Sequence, residues 1–291
     1  MDKEKNKFKE AVAHGSPMFP LYVYSDRHIN SKSSLYYHWH EEIEIIYVEK
    51  GEFILNVDMT PIKAKEGECY FINSEQLHSA YGIRDYDSLH HAIVFDLNIL
   101  SSSIYDNCQS KFIDPLINKQ YLFPLCLNIE AESDIKIISQ VKDIISAYKD
   151  KNAGWELSIK SSLLKIISLI VYLNKFSVQE NLSLTRDNYK IELIKKSINY
   201  IHLNYGRKIY LQDLAKEINM NKEYFCRFFK YHTGKTPVDY INYYRIEQAA
   251  KILKTQDKKI LDICLQVGFE NFSYFIKKFK EYKNCTPSKF K

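Results

Sequence analysis

Two stretches of this chain repeat each other fifty residues apart. Tyr224 opens YFCRFFKYHTGKTPVDY and Tyr274 opens YFIKKFKEYKNCTPSKF. Tyr224/Tyr274, Phe225/Phe275, Arg227/Lys277, Phe229/Phe279, Lys230/Lys280, Thr236/Thr286 and Pro237/Pro287 therefore stand in register. At an offset of 49, the preceding DLAKEINM faces DICLQVGF. A duplicated unit constrains the fold more tightly than composition does, because both copies must solve one packing problem with the same kinds of residue.

Each copy reads as helix, tight turn, helix. Leu211, Leu214, Ala215 and Ile218 fall at helical spacing in the first, and Ile260, Ile263, Cys264 and Val267 in the second. Ala215 and Cys264 are small where the following helix has to cross closely. Asn219 and Gly268 are suited to the left-handed conformation of the turn, and Asn221 and Asn271 to capping the next helix. That helix should bury Phe225 and Phe229, or Phe275 and Phe279, and stop at Thr-Pro, where proline cannot continue it. Between the copies, Val238 to Lys254 carries a strong helical pattern. A continuous helix there would hold the two units a fixed distance apart, apt for successive major-groove segments about 34 Å apart on one face of DNA.

With the phenylalanines inward, the opposite face offers Lys222, Glu223, Cys226, Arg227 and Lys230 in the first unit. The second offers Phe272, Ser273, Ile276, Lys277 and Lys280. A helix-turn-helix lays its second helix in the major groove with N-terminal residues at base edges. Arg227 and Lys277 suit guanine or phosphate, and Lys230 and Lys280 suit phosphate. Charge agrees: from Asp187 to Lys291 there are 21 Lys and Arg against 11 Asp and Glu, and the rest of the chain is net acidic. A solvated lysine face on a plain helical repeat is the alternative for any single contact.

DICLQVGFENFSYFIKKFKEYKNCTPSKF resembles the signature of the AraC/XylS family of bacterial transcriptional regulators, and the resemblance covers Ile191 to Lys291. Gly234 ahead of Lys-Thr-Pro, and Arg245 through Leu253, fit the family's first unit and linker helix. Asn284 stands where the family usually has Gly, and Phe290 where Tyr is frequent. The resemblance implies base reading by Glu223, Cys226 and Arg227 in one helix and by Phe272, Ser273 and Lys277 in the other. It also implies a homodimer on double-stranded promoter DNA, activation as the commoner outcome, and RNA polymerase as a further partner.

Upstream the pattern changes. From about Phe19 to Asp96, short runs rich in Val, Ile, Tyr and Phe are punctuated by Gly51, Pro61 and Gly67, which predicts several strands in a small barrel or sandwich. His38, His40, Glu42 and Glu44 share parity along one strand and therefore one face, with Trp39, Ile43, Ile45 and Tyr47 on the other. His38-x-His40-x3-Glu44-x6-Gly51 resembles the first motif of the cupin superfamily, and Gly67…His78 the second, with Asn73 and Glu75 where Pro and Gly are usual. In cupin enzymes the matching residues ligate a divalent metal, which makes His38, His40, Glu44 and His78 an alternative metal set. A metal-dependent cupin enzyme with an appended DNA-binding module is accordingly the rival function. Sensor domains of AraC type keep these positions in ligand pockets. The favoured expectation is that His38, His40, Glu42, Glu44 and His78 bind a small-molecule effector, for which the resemblance suggests a carbohydrate-related compound although no residue picks one. No catalytic residue and no cofactor are then expected, and a hydrogen-bonded core role for His38 or His40 is the plainer alternative.

Between Ser133 and Lys175 two helical stripes follow: Ile135, Ile138, Val141, Ile145 and Tyr148, then Leu163, Ile166, Ile167 and Ile170. They suit packing on their own domain or a dimer interface. The charged opening MDKEKNKFKE argues against a secretory signal, and the stretch Ile159 to Phe176 is too short and too lysine-bearing to span a bilayer. Six cysteines without a C-x-x-C pair fit reduced thiols in a cytoplasm rather than a disulfide framework or zinc finger. The expected architecture is α+β: residues 1–175 a cupin-like effector-binding and dimerisation domain, 176–188 a linker, and 189–291 a tandem helix-turn-helix DNA-binding domain with no membrane partner.

Overall fold

The β-branched and aromatic runs upstream form strands because such side chains pack well on a pleated surface. The computed structural model describes residues 14–29, 34–83, 87–178 and 186–290, in two compact units, Met1–Thr185 and Arg186–Lys291. The opening charged segment, residues 1–13, lies outside the described residues.

In the first unit the strands are β1 (Leu21–Ile29), β2 (Ser34–His38), β3 (Ile43–Lys50), β4 (Glu52–Val57), β5 (Thr60–Lys65), β6 (Cys69–Ile72), β7 (His78–Gly82) and β8 (Ser88–Phe95). After them come a single helical turn α1 (Asp114–Ile117), β9 (Tyr121–Leu122), β10 (Cys126–Leu127), α2 (Glu132–Asp150), α3 (Trp155–Tyr172) and β11 (Ser177–Val178). One sheet has the order β1-β8-β3-β6-β10 and another β2-β7-β4-β5, all neighbours antiparallel. Ile46, Val48, Tyr70 and Ile72 of the first sheet pack against Phe53, Leu55, Val57 and Ala80 of the second, making a cupin-like sandwich. The opposite face of the five-stranded sheet, with Ile45, Phe71 and Ile93, is covered by α2 and α3. Both faces of β3 are thus buried, and each fully buried Ile or Phe there contributes about 1.5–3 kcal/mol.

Three details differ from expectation. Residues 38–47 are not one strand: β2 ends at His38, and β3 begins at Ile43 in the other sheet. The chain crosses between sheets over Trp39–Glu42, so shared strand parity is not what groups His38, His40 and Glu44. On α2 the buried stripe is rotated: Ile137, Ile138, Val141 and Ile144 are buried, and Ile135 is exposed. Finally, Phe176 packs on the first unit's core and β11 pairs with β9, while the next helix begins at Arg186. Residues 179–185 of the expected linker lie outside the described residues.

The second unit contains α4 (Arg186–Asn204), α5 (Leu211–Glu217), α6 (Lys222–Thr233), α7 (Pro237–Thr255), α8 (Ile260–Gln266), α9 (Phe272–Lys283) and α10 (Pro287–Phe290). The duplicated residues do duplicated work. The side chains of Asn221 and Asn271 accept from the backbone N–H of Tyr224 and Tyr274 at 2.8 and 2.9 Å, each capping a helix. Asn219 (φ +56°) and Gly268 (φ +87°) make the left-handed turns. Phe225, Phe229, Phe275 and Phe279 are fully buried. Asn284 takes a left-handed φ of +58° at the end of α9, which asparagine tolerates. The spacer is one continuous helix, α7, but not a free-standing rod. Its Tyr240 meets Phe229 edge-on at 5.8 Å, whereas Ile246, Ala249, Ala250 and Leu253 belong to the core around α8 and α9. Both helix-turn-helix cores share it.

Candidate nucleic-acid interface and sensor site

Burying the paired phenylalanines fixes which face of each second helix meets solvent. On α6, Lys222, Glu223, Arg227 and Lys230 are exposed and Cys226 is half-buried. On α9, Phe272, Ser273, Lys277 and Lys280 are exposed and Ile276 is half-buried. Two lysines of α9 have structural occupations: Lys278 lies near the Tyr274 and Tyr282 rings and pairs with Glu281 at 3.0 Å, and Lys283 pairs with Glu247 of α7 at 2.7 Å. Sequence reasoning used Tyr224 and Tyr274 only as markers of the repeat, yet both rings are substantially exposed on the same helices. The Tyr274 hydroxyl accepts from Asn242 of α7 at 3.0 Å, so that ring is held in place. Residue type at the first turn of the second helix was the available signal.

The sensor candidates converge inside the first unit. One ligand atom from each of His38, His40, Glu44 and His78 lies within 4.8 Å of all the others. His38 and His78 face each other across the β2–β7 pair, with ring centroids 4.1 Å apart. Glu44 comes from β3 of the other sheet, and its Oε2 lies 3.2 Å from His40 Nε2 and 3.1 Å from His78 Nε2. Glu42 is not in this group; its backbone carbonyl lies 3.1 Å from His40 Nδ1, with its carboxylate 3.9 Å from the same nitrogen. The departures in the second cupin motif are accommodated locally. Glu75 takes the left-handed φ of +64° that a glycine would favour, and its N–H donates to the His40 carbonyl at 2.8 Å. Asn73 is buried, accepting from Phe123 N–H and donating to its carbonyl.

Tautomers follow from the backbone. Nδ1 of His38, His40 and His78 faces the carbonyls of Tyr36, Glu42 and Gln76 at 3.0, 3.1 and 2.9 Å. A carbonyl only accepts, so each Nδ1 carries the proton and each neutral ring presents an Nε2 lone pair. For His40 and His78 that lone pair points at a carboxylate oxygen. Two acceptors face each other there unless a proton or a cation stands between them. Burial raises the Glu44 carboxyl; with protons on the two Nε2 atoms, hydrogen bonds donated by His40 and His78 outweigh burial and hold the group well below the usual carboxylate range. Burial, then the nearby charges of His78 and His40, holds His38 well below the ordinary imidazole value, hence neutral. The three-imidazole, one-carboxylate donor set, with its tautomers fixed by a second layer of carbonyls, fits a divalent metal ion. One neighbour escaped sequence reasoning: His14, whose ring centroid is 5.6 Å from that of His40 and whose Nδ1 is 3.0 Å from the Tyr24 hydroxyl. No spacing rule connects residue 14 to the motif.

Comparison with known proteins matches both domains. Residues 214–291 match a helix-turn-helix domain model and residues 28–84 a cupin domain model. The chain is 30% identical over 287 residues to the uncharacterized HTH-type transcriptional regulator YdeC of Bacillus subtilis (strain 168), covering 97% of this chain and 95% of the relative. It is 24% identical over 284 residues to the uncharacterized HTH-type transcriptional regulator YdiP of Escherichia coli (strain K12), covering 96% and 88%. Among solved structures, unsaturated fatty acid bound wild-type ToxT from Vibrio cholerae is similar with a TM-score of 0.44 at 18% identity, over 93% of this chain and 94% of that one. A tandem of capped helix-turn-helix units following a cupin-like sandwich, and a full-length relative of the same kind, place the chain in the AraC/XylS family of DNA-binding transcriptional regulators.

Proposed function

We propose that α6 and α9 read two successive major-groove segments of one promoter, and that the buried His/Glu cluster is the sensor that tunes this reading. The observation that carries the first part is the matched pair of capped helices with outward faces bearing Lys222, Glu223, Cys226, Arg227 and Lys230, and Phe272, Ser273, Lys277 and Lys280. Arg227 and Lys277 are long donors in the first two turns, where base edges are reached; Lys230 and Lys280, one turn on, contact phosphate. The test is selection of bound sites from random DNA, followed by titration of variants on the recovered operator. Arg227→Ala and Lys277→Ala should each weaken binding about 5- to 150-fold, as loss of about 1–3 kcal/mol implies, while melting stays unchanged. Unaltered affinity in both variants would remove the helix assignment.

The sensor reading rests on the fixed tautomers. His38, His40, Glu44 and His78 would hold a divalent cation, which supplies a Lewis-acidic centre for an oxygen-bearing effector, sugar hydroxyls included. Dimerisation is assigned to α3, where Leu157, Leu164 and Tyr172 stand exposed along one stripe at 74%, 46% and 84%. A dimer would double the phosphate contacts, and activation would follow through RNA polymerase on the same promoter. Metal content of the purified chain, and operator affinity before and after chelation, test the sensor. Stoichiometric metal whose removal leaves operator affinity untouched would favour the metal-dependent enzyme instead.

A further inference from the structure

The two helix-turn-helix units touch each other in a second place besides the shared helix. Where α4 ends, the turn Tyr205–Gly206–Arg207 lies directly on the α8–α9 turn of the other unit. A Cβ on Gly268 would sit 2.2 Å from the Tyr205 carbonyl oxygen, and a Cβ on Gly206 would sit 3.1 Å from that of Gln266. The Tyr205 ring packs against the core of the second unit. One side chain of α7 joins both turns. Arg245 donates through Nε to the Tyr205 carbonyl at 2.9 Å and through Nη2 to the Arg207 carbonyl at 2.7 Å. Its guanidinium carbon also lies 5.6 Å from the centroid of the Phe269 ring, in the turn of the second unit.

We infer that Arg245 is a positioning residue that sets the placement of one reading head relative to the other, and so the spacing between half-sites that the protein accepts. The planar guanidinium suits this task, because its fork reaches two carbonyls at once while its face covers an aromatic ring. Backbone carbonyls at the end of α4 belong to the first head, and Phe269 to the second. A continuous α7 fixes the axial distance between heads; the Arg245 contacts fix their rotation about it. Each base pair added between half-sites rotates the second by about 34–36° and moves it by about 3.4 Å, so a rigid pair of heads is selective for spacing and a loosened pair is not. This inference rests on the proposal that both heads bind one duplex.

The experiment uses the full-length chain and the operator recovered from random DNA, with one base pair inserted into or removed from the segment between half-sites. Wild type should lose about tenfold or more at either altered spacing. Arg245→Ala should bind the original operator more weakly and lose less than about threefold on altering the spacing, while remaining sensitive to base changes in each half-site. Arg245→Lys, which keeps the charge but can reach only one carbonyl well, should fall between and guards against a misfolded alanine variant. Thermal melting accompanies each titration, since a purely structural role lowers stability without flattening the spacing profile. Spacing profiles as sharp in both variants as in wild type would overturn the inference about Arg245 alone. A flat profile for wild type itself would sink the two-head reading, and this inference with it.

Discussion

The two units dispose their polar groups in opposite ways. In the cupin-like unit, three imidazoles and a carboxylate turn inward, and a backbone carbonyl fixes the tautomer of each imidazole. In the helical unit, arginine and lysines turn outward from capped helices into solvent. The difference suits the ligand proposed for each unit. A single small ion is recognised by donors that converge at short range, so the side chains themselves must be preorganised. A polyanion presents charge along a surface and sheds counterions on binding, so long mobile cations suffice if the backbone carrying them is well placed. Preorganisation lies in side chains in the first unit and in helix placement in the second.

The comparison breaks most readily at Glu44 and Lys277. Glu44→Ala removes the carboxylate from a buried group and leaves His40 and His78 without it; losing one member of such a set costs about 3–5 kcal/mol. Metal retained after gel filtration should fall with it. Lys277→Ala, on an exposed position, should move stability by less than about 0.5 kcal/mol and show itself in operator binding alone. Calorimetric melting and metal content of the two variants, side by side, read this. Similar melting for both would mean that the cluster is no more preorganised than the surface.

How much of this was legible beforehand differs between the units for a physical reason. The duplicated turn residues Asn219 and Gly268, the caps Asn221 and Asn271 and the buried phenylalanines were all readable, because helix-turn-helix geometry is local and the repeat states it twice. The His38, His40 and Glu44 grouping was also legible, but through motif resemblance; the strand-parity argument failed because the chain leaves one sheet at His38 and enters the other at Ile43. His78 was named by the second cupin motif, but its pairing partner on β2 and the approach of His14 are long-range contacts, which spacing does not encode. The same holds for Arg245, whose partners at Tyr205 and Arg207 lie some forty residues away. On α2, apolar residues at Ile135, Ile137 and Ile138 fit more than one stripe, and only docking onto the sheet selects the buried one.

A histidine outside the cluster sharpens the comparison. His202 of α4 stacks on Tyr244 at 3.8 Å, and its Nε2 lies 3.1 Å from the Tyr240 hydroxyl. Burial, and secondarily the charge of Lys251, pulls its imidazole down to about 3. In the unfolded chain the same ring titrates near 6.5. Its folded value being depressed, the stability it supports is present above about pH 6.5 and is lost as pH falls toward the folded value. Between pH 7 and pH 4.5 the helical unit should therefore lose on the order of 2 kcal/mol that His202→Phe, which keeps the stacking, does not lose. Melting of both proteins across that range checks it, following the helical unit's own transition because two units need not unfold together. Parallel pH curves would show that His202 takes up its proton as readily in the folded protein as in the unfolded chain.

The smallest effect bears most directly on where the second unit keeps its order. Asn221 and Asn271 accept from equivalent N–H groups at nearly equal lengths, 2.8 and 2.9 Å, at the start of the two reading helices. Replacing such a cap with alanine costs about 1 kcal/mol. Asn221→Ala and Asn271→Ala should match each other within a few tenths of a kcal/mol, because the duplicated scaffold gives them the same surroundings. If helix placement is the preorganised element, fraying the first turn also disturbs Glu223 on α6 or Phe272 and Ser273 on α9, so operator affinity should fall several-fold although no reading side chain has been removed. Denaturant titration together with operator binding on both variants decides the point. Matched losses of stability with undiminished affinity would mean that the exposed side chains, rather than the turns beneath them, carry the positional information.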